Sequence, residues 1–144
     1  MDALYIATAT SHGGRNGRAE TSDGALAVEI VPPAELGGDG RPGTNPEQLF
    51  ATGYAACFNS ALALVAGKRG HDASAATVTA DVGLKRDGRG FGLEVELHVA
   101  IPGMDHELAQ DLAEKAHQVC PYSNATRGNI EVALTVEDAA PLSA

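Results

Sequence analysis

The sequence has no tryptophan, three phenylalanines, three tyrosines and only two cysteines in 144 residues. The cysteines, Cys57 and Cys120, form no CxxC pair, which removes the usual zinc and thioredoxin-type motifs. Positive charge is also scarce. Ten Lys and Arg stand against nineteen Asp and Glu, a formal net charge of -9, and the cations are scattered. Nucleic acid and anionic membrane surfaces need clustered cations, so neither is expected as a partner. Met1-Asp2-Ala3-Leu4-Tyr5-Ile6 lacks a basic segment followed by an apolar one, so nothing points to export and a cytoplasmic protein is expected. In that compartment a disulfide closing so long a loop, worth about 4 kcal/mol on the chain-entropy model, rarely persists as a structural bond. A transient, catalytic one is the commoner case. There is no internal repeat and no low-complexity tract, and 44% hydrophobic content over this length predicts one domain, residues 1–144, with a real core.

The hydrophobic pattern orders the elements. Leu4 to Thr8 reads as a strand; turns at Asn16-Gly17 and Asp23-Gly24 then lead into Leu26–Ile30 with period-2 alternation, a three-stranded meander. The stretch from Pro32 to Asn45, with four glycines and three prolines, is longer than usual for a connection and suggests a binding or interface role. A helix starts near Pro46 and runs to Gly67 with apolar or small residues on nearly every face, which predicts burial on both sides. Thr52, Asn59, Ser60 and its alanine content favour a core helix over a membrane span. Two long strands follow, Ala76–Lys85 and Phe91–Ile101, joined by Asp87-Gly88-Arg89-Gly90. The second alternates strictly through Leu93, Val95, Leu97, Val99 and Ile101. A helix from Asp105 is amphipathic, with Leu108, Leu112, Ala116 and Val119 on one side. Ile130–Val136 forms the last strand, ahead of a polar tail. The order βββ-α-ββ-α-β gives an α+β domain with mostly antiparallel strands.

The two cysteines differ in setting. Cys57 lies on the fourth turn of its helix, too far from the positive end of the dipole for a thiolate to benefit, so activation requires a tertiary cation. Cys120 precedes Pro121, where the second helix must stop, and the negative helix end there suits a resolving thiol better than an attacking one. Phe50, Tyr54, Phe58 and Tyr122 lie within seven residues of one cysteine or the other. They fit a share of ordinary core aromatics, and equally an apolar pocket for a greasy substrate. Arg15 and Arg18 both flank the Asn-Gly turn, and position alone does not choose between them. Glu47 follows Thr44-Asn45-Pro46 and fits a capping box, with Asn45 a competing cap. His117 shares a helix face with Cys120, but with two cysteines it still lacks a fourth ligand, and no metal is expected.

Two segments carry a family resemblance: Gly43-Thr44-Asn45-Pro46-Glu47-Gln48-Leu49-Phe50-Ala51-Thr52-Gly53-Tyr54-Ala55-Ala56-Cys57-Phe58, and Ala116-His117-Gln118-Val119-Cys120-Pro121-Tyr122-Ser123-Asn124-Ala125-Thr126-Arg127-Gly128-Asn129. They resemble the two signatures of the Ohr/OsmC family. The second favours its organic hydroperoxide resistance branch, and the match extends to Gly13-Gly14-Arg15-Asn16-Gly17-Arg18-Ala19. The resemblance implies an Ohr/OsmC-like α+β fold with sheets around a buried central helix in an intertwined homodimer. It implies Cys57 as peroxidatic thiol, Cys120 as resolving thiol, and Arg15 with Glu47 as the activating ion pair. It further implies reduction of organic hydroperoxides, fatty-acid ones included, with no bound cofactor and with dihydrolipoamide or a lipoylated protein as external reductant. An OsmC-type peroxidase of different preference and a non-enzymatic redox-sensing or hydrophobic-ligand-binding module are the rival readings.

Glu47 and Cys57 are ten residues apart on one predicted helix, so their backbones lie about 15 Å apart. Their side chains cannot readily meet within a chain. A common site therefore predicts that Arg15 and Glu47 reach Cys57 of a second subunit across a two-fold dimer.

Overall fold

Glycine-cornered hairpins shape the N-terminal part of the chain. In the computed structural model, which describes residues 2–138, the chain groups into two units, one ending at Leu49 and one starting at Phe50. The first contains β1 (Ala9–His12), β2 (Gly17–Thr21) and β3 (Ala27–Ile30), an antiparallel meander in that order. The meander is as expected, with a shift at its start. Leu4, Tyr5 and Ile6 belong to no strand and are exposed. The first corner is made by Gly13 (φ 79°) and Gly14 (φ 58°), not by Asn16-Gly17, and the Asn16 N–H donates to the Gly13 carbonyl at 3.2 Å. Two successive residues without Cβ take the left-handed region at less cost than an asparagine does.

The long connection after β3 contains a 3-10 turn at Ala34–Leu36 and then returns to the sheet. Thr44 N–H donates to the Glu29 carbonyl at 2.9 Å, and Val31 N–H to the Thr44 carbonyl at 2.8 Å. Among the described residues of this unit only Ile30 and Val31 are buried.

The helix α1 (Pro46–Lys68) carries the chain into the second unit. It passes through Gly67 and ends at Gly70 (φ 76°), with His71 N–H donating to the Ala66 carbonyl at 2.9 Å. Tyr54, Phe58, Ala61, Leu62 and Ala66 form its buried stripe. The opposite face, expected to be covered as well, is open in the single chain at Thr52, Ala56, Ser60, Ala63 and Leu64. By length and composition alone α1 would also pass for a membrane span.

The strands β4 (Thr77–Asp87) and β5 (Gly90–Ala100) pair antiparallel around a two-residue corner, Gly88-Arg89. Val95, Leu97, Val99 and Ile101 point into the core, as their alternation predicts. The strand β6 (Val132–Val136) pairs with β5 in parallel, an exception to the expected antiparallel pairing. Its cause is the helical crossover between the two strands, which returns the chain to the end from which β5 started.

That crossover comprises α2 (His106–Val119) and α3 (Pro121–Thr126). Asp105 caps α2 by accepting the Leu108 N–H at 3.2 Å. Its inward stripe is Ala109, Leu112, Ala113 and Ala116, continued by Cys120. Val119, expected inward, is 47% exposed, because the stripe drifts around the helix and gives the last inward position to Cys120. The polar tail beyond residue 138 lies outside the described residues.

Candidate functional site: two thiols at a helix junction

Pro121 ends α2, and it also begins α3, since proline suits the first position of a helix. Cys120 (φ -63°, ψ 123°) is thus the C-cap of one helix and the N-cap of the next. Its own N–H donates to the Ala116 carbonyl at 2.8 Å, and its carbonyl accepts the Asn124 N–H at 2.9 Å. The expected negative helix end is there, but the positive end of α3, which was not foreseen, opposes it. This junction holds the fully buried Cys120 thiol 3.7 Å from the sulfur of Cys57, close enough for an S–H···S hydrogen bond. Both thiols are free and Cys57 is half-buried.

Burial pushes the Cys57 thiol up from its ordinary value, the backbone N–H of Tyr122 lowers it, and Cys120 raises it again. Among the described residues of this unit, no basic side chain offsets the burial. The C-terminal unit by itself therefore does not make Cys57 a ready nucleophile.

Four side chains, Tyr54, His117, Ser123 and Thr126, fix the junction from behind. The Tyr54 hydroxyl, fully buried, shares hydrogen bonds with Ser123 Oγ at 2.8 Å and Thr126 Oγ1 at 3.3 Å. Ser123 Oγ in turn meets His117 Nδ1 at 2.7 Å. Burial and the nearby Arg127 hold the His117 pKa below its ordinary value. His117, weighed above as a metal ligand, thus spends a ring nitrogen on Ser123. Sequence reasoning missed Ser123, although a serine two residues past Cys-Pro in the first turn of a new helix was readable once Pro121 was taken as a helix start.

The four aromatic candidates separate. Phe50, Tyr54 and Tyr122 form one cluster, with ring centroids 5.5 to 6.1 Å apart. Phe50 and Tyr122 line a cavity of about 650 Å³, together with Phe91, Leu93, Pro121 and Ile130. Tyr54 and Phe58 lie in the core and are not among its lining residues. The sequence also gave no hint of Gly53: a Cβ there would stand 2.5 Å from the Tyr122 hydroxyl, so the glycine makes room for that ring.

Within the N-terminal unit, the Arg15 guanidinium donates both arms to Glu47, Nη1 to Oε2 at 2.9 Å and Nη2 to Oε1 at 2.6 Å. The fork geometry orients a guanidinium that is 46% exposed against a carboxylate that is only 13% exposed. Arg15 holds the Glu47 pKa below the usual carboxylate range, and Glu47 raises that of Arg15. Arg18 points elsewhere, to Glu29 at 3.1 Å and Glu20 at 3.9 Å. Asn45 does the capping, its side chain accepting the Gln48 N–H at 2.8 Å. Of the two arginines it is thus Arg15 that pairs with Glu47, and Asn45 that caps α1.

An α+β chain that brings two sequence-remote thiols into contact at a helix junction is a two-thiol protein in which one cysteine is buried and the other accessible. The model of the OsmC-like protein family matches residues 37–135. The organic hydroperoxide resistance protein of Xanthomonas axonopodis pv. citri is 54% identical over 134 residues, 92% of this chain and 94% of that protein. OhrB of Bacillus subtilis is 44% identical over 137 residues, 94% and 99% of the two chains. A crystal structure of an organic hydroperoxide resistance protein from Elizabethkingia anophelis matches with TM-score 0.90 at 56% identity, covering 96% of this chain and 99% of that one. The chain belongs to the OsmC-like family, on its organic hydroperoxide resistance branch, and has the Ohr/OsmC fold.

Proposed function

We propose that the protein is a thiol peroxidase that detoxifies organic hydroperoxides, fatty-acid hydroperoxides included, in the cytosol. The observation that carries this reading is the 3.7 Å approach of Cys57 and Cys120 with both sulfurs reduced. The Cys57 thiolate attacks the terminal peroxide oxygen, the O–O bond breaks, and the departing alkoxide takes up a proton as the alcohol. Cys57 is left as a sulfenic acid, the first oxidised step of a thiol. The Cys120 sulfur then attacks the Cys57 sulfur and water leaves. The sulfurs need to close from 3.7 Å to about 2.05 Å, within reach of side-chain rotation. A lipoyl dithiol, free or on a lipoylated protein, exchanges with the disulfide and restores both thiols; no bound cofactor takes part.

Arg15, oriented by Glu47, stabilises the thiolate and the charge that develops on the leaving oxygen, a task suited to a cation that keeps its proton. In this reading the pair acts on Cys57 of a second copy, in a homodimer with shared sites. Supporting it are the unbroken α1 between Glu47 and Cys57, the upward shift of the Cys57 thiol, and the exposed apolar surface at Leu4, Tyr5, Ile6 and Leu64. The name shared by the relatives and the apolar wall of the cavity favour organic peroxides as substrates.

The test is steady-state consumption of cumene hydroperoxide and of hydrogen peroxide with dihydrolipoamide as reductant, in native protein and in Cys57→Ser. Rapid turnover that prefers the organic peroxide and vanishes in the variant is expected. Absence of turnover by folded, reduced protein would overturn the reading in favour of a sensor or binding module.

A further inference from the structure

The cavity is apolar along Phe50, Leu93, Tyr122 and Ile130, yet the β4–β5 corner places two charged residues, Asp87 and Arg89, at its lining. They are not equivalent. The Asp87 carboxylate accepts the backbone N–H of Arg89 at 2.8 Å and so belongs to the turn. The guanidinium of Arg89 has no carboxylate partner among the described residues, in a chain whose acidic groups outnumber its basic ones by 19 to 10. Its neighbour Arg86 is likewise without one and stacks over the Phe91 ring at 5.1 Å, steadying part of the cavity wall. Tyr122, whose backbone N–H acts on the Cys57 thiol, is also part of the lining. Neither cysteine is among the lining residues; the space is apolar in its body, is bounded in part by a residue whose backbone acts on the Cys57 thiol, and has an uncommitted cation at the β4–β5 corner.

We propose that Arg89 is a specificity-determining residue that reads a carboxylate on the substrate, so that hydroperoxides carrying an anionic head on a long apolar chain are preferred over neutral ones of equal size. The inference rests on the peroxidase reading above and adds to it the group that selects among organic peroxides. An acyl chain fills the apolar wall, its peroxide lies toward Tyr122 and Cys57, and its carboxylate meets Arg89. Without this cation an anionic substrate would be disfavoured by a protein of formal charge -9. Because the corner is solvent-accessible, the gain is modest, about two- to fivefold at low ionic strength, and it shrinks as salt is added.

The experiment compares linoleic acid hydroperoxide, its methyl ester and cumene hydroperoxide, all below their aggregation limits, in native protein, Arg89→Gln and Arg89→Lys. The native protein is expected to favour the acid over the ester by about two- to fivefold in kcat/KM, through KM. Arg89→Gln should lose that preference, the ratio of acid to ester falling to about one, and Arg89→Lys should keep part of it. Equal rates for acid and ester in the native protein, or a preference that survives Arg89→Gln, would overturn the inference while leaving the peroxidase reading intact. Should cumene hydroperoxide not be turned over at all, binding decides separately. Linoleic acid bound about two- to fivefold more weakly after Arg89→Gln supports the carboxylate site, and equal affinity refutes it.

Discussion

The two units divide the chemistry unequally. The N-terminal unit has little core of its own and presents an ion pair whose cation is half open to solvent. The C-terminal unit holds the hydrophobic cluster, from Tyr54 to Val136, and both thiols, but its burial disfavours the thiolate that the chemistry needs. One unit has an oriented cation without a nucleophile, and the other has a nucleophile on which no cation of its own acts. Packing that fixes a sulfur to within bonding distance of another also desolvates it, so positioning and activation of a cysteine pull in opposite directions. The proposed shared site, which draws them from separate parts of the protein, would relieve that conflict.

The largest expected effects lie in the C-terminal unit. Cys57→Ser should lower peroxide turnover by about a thousandfold or more, as loss of a nucleophile does. Cys120→Ser should instead consume a single equivalent of peroxide and stop, with a sulfenic acid on Cys57 visible by dimedone labelling and mass spectrometry. Full turnover by either variant would break the assignment of roles.

Next come the charges. Arg15→Leu should cut kcat/KM by about a hundredfold or more, the scale of a lost electrostatic contact to a developing anion. Alkylation of Cys57 by iodoacetamide, followed against pH in a Cys120→Ser background, should inflect below the ordinary thiol value of about 8.5 with Arg15 and above it with Leu. An inflection that does not move would show that the two units work apart. Mixing Cys57→Ser with Glu47→Ala protomers sharpens the point, since a shared site should restore one working site per mixed dimer.

Smaller effects belong to the support of the junction. Tyr54→Phe removes a buried hydroxyl that bonds Ser123 and Thr126, and should cost about 1–2 kcal/mol in urea unfolding. The smallest are the pH terms of two histidines, which have opposite sign. His117 has a lowered pKa from burial and Arg127, so its contribution is complete above the unfolded value of about 6.5 and is lost as pH falls below it. His98 is raised, first by its hydrogen bond to Asp81 and further by Glu96 and Glu137. Its contribution is present below about 6.5 and is lost as pH rises through the folded value. Melting temperatures from pH 5 to 8 should therefore flatten on the acid side in His117→Gln and on the neutral side in His98→Gln.

Much of this was legible in the sequence where a single period governs. The alternation of β5 and the start of α2 near Asp105 depend on near neighbours, and each is where the pattern puts it, whereas α1, expected to be buried on both sides, buries one stripe in the single chain. Four features were not legible, for four reasons. The corner at Gly13-Gly14 required a choice between two good turns. The parallel pairing of β6 depends on a crossover that no local signal encodes. The start of α3 was masked because Pro121 was taken only as a stop. The partner of Arg15 lies 32 residues away, and only the fold selects it over the carboxylates that Arg18 takes. At the site, residue types announced the thiols and only the family resemblance named the ion pair, whereas Gly53 and Ser123 matter through the space and the hydrogen bond they give to others.

Cys120 is both the last word of α2 and the first of α3, with His117 and Ser123 three positions to either side. Its sulfur is aimed by counting residues, not by anything in its own side chain. Inserting or deleting one residue between Ala116 and Ser123 turns everything beyond it by about 100° around the helix axis, while exchanging an exposed side chain there turns nothing. Through this segment the chain should accept spelling changes and reject changes of length.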